Sequence, residues 1–171
     1  VTTPTAYGVG VLNSIKPAYA LGEELVINGD FATDSDWVKG AGWTISGGKA
    51  NANTTGNFVN IYQNSVFVVG RKYKYSFTVV DYTQGSVRFT EGGLDISGEK
   101  TSTGVYVGTF TATTYTSLYM QGKNSFIGSI DNVSVKEITD ADFDFTRTSS
   151  ATRVNPDYLI ETVSINSANL V

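Results

Sequence analysis

Apolar and polar residues alternate with a period of two along much of this chain. The clearest run is 72–82, where Tyr73, Tyr75, Phe77 and Val79 share one face and Lys72, Lys74, Ser76 and Thr78 the other. That pattern predicts a half-buried antiparallel strand. Val87 and Phe89 flank Arg88 in 86–90, Leu118 and Met120 flank Tyr119 in 117–121, and Tyr106, Phe110 and Ala112 share a face in 105–113. Further strands are predicted at 24–28, 43–46, 49–53, 58–63 and 126–138. In the last, Ile130, Asn132, Ser134 and Lys136 oppose Asp131, Val133, Val135 and Glu137. Gly47-Gly48 is a two-residue hairpin signal, and Asn28-Gly29-Asp30, Gly70-Arg71 and Glu91-Gly92-Gly93 mark other turns. Turn signals recur about every ten residues, the spacing of a sandwich or barrel rather than of βαβ units. No window holds helical spacing over three turns. Trp43, Tyr73, Tyr75, Phe77, Phe89 and Phe110 are expected in the core.

The flanks read differently. Residues 1–22 carry two prolines and no clean period, which predicts an extended arm with a short strand near 10–15; Tyr7, Val9, Val11, Leu12 and Ile15 make it too apolar for a free tail. Residues 23–138 form the expected main domain. Residues 139–171 alternate acid with apolar in Asp140-Ala141-Asp142-Phe143-Asp144-Phe145, then predict two or three short strands without a core of their own: a C-terminal β extension, or a linker to a following domain. The closing Leu170-Val171 matches Leu25-Val26 at the start of the main domain, so a second copy of the module is expected to open there.

Composition narrows the chemistry. The 171 residues suffice for a packed core without staples, and there is no cysteine. Histidine is also absent, so Ser-His-Asp, Cys-His and His-ligated zinc arrangements are excluded. Some pair of the 16 acids must lie close together, yet none stands in a glycosidase-like motif; no enzyme and no catalytic residue is expected. Only 16% of residues are charged, against about 25% in ordinary domains. The net charge is −4 with scattered Lys and Arg, which speaks against a nucleic-acid partner. No apolar run is long enough for membrane insertion.

Three segments in order carry a resemblance. They are Glu24-Leu25-Val26-Ile27-Asn28-Gly29-Asp30-Phe31 with Trp37 and Gly42-Trp43-Thr44-Ile45-Ser46, then Val69-Gly70-Arg71-Lys72-Tyr73-Lys74-Tyr75-Ser76-Phe77, then Ile130-Asp131-Asn132-Val133-Ser134-Val135. Together they resemble carbohydrate-binding modules of types 4, 9 and 22. The resemblance implies an all-β antiparallel jelly-roll sandwich of the galactose-binding-like kind. The tail Phe143-Asp144-Phe145-Thr146-Arg147-Thr148-Ser149-Ser150-Ala151-Thr152-Arg153-Val154-Asn155, with Leu159-Ile160-Glu161-Thr162-Val163, is similar to segments of virion proteins of tailed phages. It implies a virion or extracellular setting.

By alternation Asn60, Tyr62, Arg88, Tyr119 and Gln121 point away from the core. On adjoining strands they would form a polar-aromatic face suited to a glycan or to a subunit interface. Val105-Tyr106, where the resembled modules carry a tryptophan, speaks against a deep cleft. The resemblance also implies a structural Ca2+, for which Asp131 with Asn28 or Asp30 would supply oxygens; turn-forming Asx residues are the competing reading. Asp140, Asp142 and Asp144 lie about 7 Å apart in a strand, too far for one ion. The expectation is a non-catalytic structural or adhesion module of a phage virion, in a fibre, head decoration or tail appendage. Its partners would be other virion proteins, further copies of itself and surface polysaccharide. A free-standing carbohydrate-binding module and a subunit of a bacterial surface filament or layer are the alternatives.

Overall fold

The computed structural model describes residues 20–139 and two further strands, at Ala151–Val154 and Ile160–Val163. The chain divides into two units, Val1–Ala141 and Asp142–Val171. The predicted strand near 10–15, the acidic series at 140–144 and the closing Leu170-Val171 lie outside the described residues.

In the first unit nine strands form one antiparallel sheet, and no helix occurs among the described residues. They are β1 (Ala20–Glu24), β2 (Val38–Lys39), β3 (Trp43–Ser46), β4 (Lys49–Asn53), β5 (Val59–Gln63), β6 (Lys72–Glu91), β7 (Leu94–Asp95), β8 (Gly104–Thr111) and β9 (Leu118–Thr139). The two long strands β6 and β9 pair along almost their whole length. On its other edge β9 receives β5, then β4, then β1. On its other edge β6 receives β8, then β7. The sheet curls around a single core until it is nearly barrel-shaped.

Bulges produce the curl. The β6–β9 register slips four times between Ser76 and Ser86, and each slip adds local bend and twist. At the bend the backbones nearly touch: a Cβ on Gly128 would lie 2.3 Å from the Asp81 carbonyl oxygen. Tyr75 and Phe89 of the same strand consequently stack across the core. Phe67, Tyr73, Phe77, Ile61, Leu118, Met120 and Phe126 fill the space around them. The β3–β4 hairpin turns on Gly47-Gly48, both left-handed as a type I′ turn requires, with Trp43 opposite Ala52.

Three sequence expectations are corrected. Residues 72–91 are one strand rather than two, and so are 118–139, because the bulges bend the ladder without ending it. Alternation in the last strand fails at Asn132, whose φ of 52° inserts one residue; Ile130 and Val133 both point inward as a result. The first strand is β1, at 20–24, rather than 24–28. Beyond it Leu25 still donates to the Val135 carbonyl, but the left-handed Asn28 ends regular pairing.

In the second unit β10 (Ala151–Val154) and β11 (Ile160–Val163) form an antiparallel ribbon, with Ala151 opposite Val163 and Val154 opposite Ile160.

Candidate functional site

The five residues read from alternation lie together on the outer face of β5, β9 and β6. Asn60 stands opposite Gln121, and Gln121 opposite Arg88; Tyr62 stands opposite Tyr119. Their inward neighbours Ile61, Met120 and Phe89 are buried in the core, which fixes the direction of the outward set.

A hydrogen-bonded row crosses this face. The Gln121 amide donates to Asn60 Oδ1 at 2.9 Å, and its oxygen accepts from Arg88 Nε at 2.9 Å. Arg88 then reaches Asp95 of β7 at 3.0 Å. The Arg88 side chain is only 12% exposed and is bonded on both sides, so little side-chain entropy remains to be lost on contact with a ligand. Beside the row the Tyr62 and Tyr119 rings meet with centroids 4.8 Å apart at 48°. Gln121 is itself buried, at 4% exposure, so it braces the row from beneath, and the tyrosine rings, Asn60 and the edge of Arg88 are what the face presents.

One residue of the face escaped the sequence reading. Phe58 is 56% exposed and has a φ of 64°, a region costly for a bulky side chain. Arg88 and Lys123 sit over its ring at 5.7 and 5.6 Å from the centroid. Its neighbour Asn57 accepts from the Asn124 backbone N–H, and Gly56 donates to Ser125 Oγ. These bonds clamp the loop to the β9 bend, where Asn124 and Ser125 are themselves left-handed. The only sequence signal for this was Thr55-Gly56-Asn57 before Phe58, which reads as an ordinary turn.

Ion pairs border the face. Lys123 holds Glu99, which also accepts from Ser86 Oγ; the Lys123 bond first and the Ser86 bond second lower the Glu99 pKa below its ordinary value. At the β6–β9 bend, hydrogen bonds from Lys49 and then Ser129 lower that of Asp81 likewise. Inside the sheet, burial raises the Tyr75 phenol, with a smaller push from the charge of Asp95.

The proposed calcium donors are engaged locally. Asn28 Oδ1 accepts from the Thr33 N–H, and its amide donates to the Thr33 and Ser35 carbonyls at 2.7 and 3.0 Å. Asp131 caps Asn132 through both oxygens. Asp30 lines an open depression with Glu24, Asn132 and Ser134, and accepts from the Ala32 N–H at 3.4 Å. Among the described hydrogen bonds none joins Asn28 or Asp30 to Asp131. No group of three acidic side chains is arranged for a metal ion among the described residues. Each of the three makes the local hydrogen bonds of a loop-forming Asx residue.

A second buried polar device was also invisible in the sequence. Glu91 is fully buried, and its carboxylate accepts from the backbone N–H groups of Thr113, Thr114 and Tyr115, the last two at 2.6 Å. It fastens the loop before β9 and is structural. No family model matches the chain, and no curated protein matches it either.

Proposed function

We propose that this chain is a non-catalytic adhesion module of a tailed-phage virion appendage, built on a jelly roll, whose β5–β9–β6 face contacts surface polysaccharide. The observation that carries the reading is the fixed row Asn60–Gln121–Arg88 between Phe58 at one end and the Tyr62–Tyr119 pair at the other. Sugars present apolar C–H faces and paired hydroxyls, which aromatic rings and planar polar groups complement. The strain at Phe58 supports a ligand-contact role, since such strain collects where function needs it. The folding of β6 over itself supports a sandwich-like jelly roll. The virion setting is supported by the resemblance of residues 143–163 to phage segments.

Assembly of copies is the second reading, favoured by β8. Among the described residues this strand pairs only with β6, carries no charge, and exposes Val105 (69%) and Val107 (58%). Natural edges are usually blunted by charge, so an uncharged edge suits pairing with a neighbour.

A glycan array separates the readings. The adhesion reading expects saturable binding that Tyr62→Ala and Tyr119→Ala abolish. Absence of binding to every arrayed glycan, with self-association that Val107→Lys disrupts, would favour assembly instead.

A further inference from the structure

The opposite end of the sheet holds an arrangement that the adhesion reading does not use. Lys74 of β6 and Lys136 of β9 stand directly opposite each other, and the next pair along is Ser76 opposite Ser134. All four face outward, since their neighbours Tyr73, Tyr75, Phe77, Val133 and Val135 are core residues. Directly opposed residues of an antiparallel pair carry Cβ atoms only about 5 Å apart, and like charges there are unfavourable. Both lysines are half-buried, and none of the ion pairs among the described residues engages either one.

The acid opposite Lys136 is already hydrogen-bonded elsewhere. Glu24 lies opposite Lys136, but its carboxylate accepts from the Val26 and Val135 N–H groups and from the Ser134 hydroxyl, closing the β1–β9 junction. Arg71 and Glu137 neutralise each other, while Lys72 adds a further positive charge beyond them. The Ser76 hydroxyl has no partner among the described hydrogen bonds. Lys72, Lys74 and Lys136 still outnumber the Glu23 and Glu24 carboxylates of β1, which leaves an excess of positive charge beside a hydroxyl uncommitted among the described hydrogen bonds. The spot is also concave: Lys74, Ser76, Ser134 and Lys136, with Leu21 of β1 and Tyr75, line a depression of about 170 Å³.

We propose that this depression binds a tetrahedral oxyanion, sulfate or phosphate, either free or as an ester on a polymer. The two ammonium groups would flank the anion and Ser76 would donate to it, turning a like-charge clash into a clamp. The anion removes the repulsion that the register imposes, so binding and fold stability are coupled. The site lies on β6 and β9 away from Asn60, Tyr62 and Phe58, so it stands whether or not the polysaccharide reading does.

The test is an amide NMR titration of the full chain with sodium sulfate, against sodium chloride at matched ionic strength. Saturable shifts at residues 74–76 and 134–136 with sulfate alone are expected. Lys74→Gln and Lys136→Gln should each weaken binding at least tenfold. In sulfate-free buffer both should melt no lower than the parent chain, which also shows that they fold. Lys74→Arg should retain binding. Dextran sulfate against plain dextran distinguishes the sources: tighter binding of the sulfated polymer than of free sulfate assigns the site to an ester, and binding of free sulfate alone assigns it to a small ion. Equal shifts with chloride, or sulfate affinity unchanged in both glutamine variants, would overturn the proposal.

Discussion

Tyr75 and Phe89 belong to the same strand, fourteen positions apart, yet their rings stack with centroids 4.4 Å from each other at 15°. On a straight strand they would stand roughly 45 Å apart. The strand must therefore fold over itself, and the bulges between Ser76 and Ser86 are where it does so. One turn of chain thereby makes the core and sets the outward direction of Arg88 on the far side.

Phe89 is in ring contact with Tyr75, Phe77, Phe67 and Phe110. Phe89→Ala is expected to cost about 3–5 kcal/mol in urea unfolding, because the fold-over leaves no side chain free to collapse into the space. Phe58→Ala, on an exposed and strained residue, is expected to change stability by about 1 kcal/mol or less while weakening any glycan contact.

Gly128 lets β9 pass the bend in β6. Its Cβ position lies 2.3 Å from backbone and 2.9 Å from the Phe126 ring, so neither neighbour yields easily. Gly128→Ala should destabilise by about 1–3 kcal/mol or more, read from the denaturation midpoint. Gly48→Ala, with open space around it but a left-handed φ, should cost less.

Glu91 should be the most sensitive polar residue. Glu91→Ala strands three backbone N–H groups, and a loss of about 3 kcal/mol or more is expected. Glu91→Gln keeps one acceptor oxygen but turns an NH2 toward donors, so it should fall between the two. Chemical denaturation of the three proteins checks the order.

The carboxylates at the rim give a signed pH response. Glu99 and Asp81 have folded-state pKa values below their ordinary ones, so the unfolded chain binds protons first as pH falls. Their contribution is complete above the ordinary carboxylate range and is lost as pH drops through the lowered values. Melting temperature should therefore decline on acidification, and less steeply in Glu99→Gln. Tyr75 acts at the other end: its raised pKa means that stability is lost as pH rises above the ordinary tyrosine value. Tyr75→Phe should flatten that alkaline limb.

Much of this was legible in the chain itself. Period-two alternation places Tyr73, Tyr75 and Phe77 inward, and it finds Asn60, Tyr62, Arg88, Tyr119 and Gln121 on one outer face, because side-chain direction in a strand is local. The Gly47-Gly48 hairpin is equally local. Continuity of β6 and β9 was not legible, since alternation lapses at 83–85 and 122–125 and only the partner strand keeps the ladder going. The extra residue at Asn132 inverted the expected facing of Ile130 for the same reason. Phe58 depends on its loop meeting the β9 bend at 123–125, and Glu91 on the loop at 113–115 folding back, contacts that carry no pattern in sequence.

The contact face is tested most directly by mapping amide shifts of the full chain against the tightest glycan from the array. The account predicts saturable changes at residues 58–62, 86–90 and 119–123, all removed by Tyr62→Ala with Tyr119→Ala. Changes confined to the β8 edge, or none with any glycan, would contradict it.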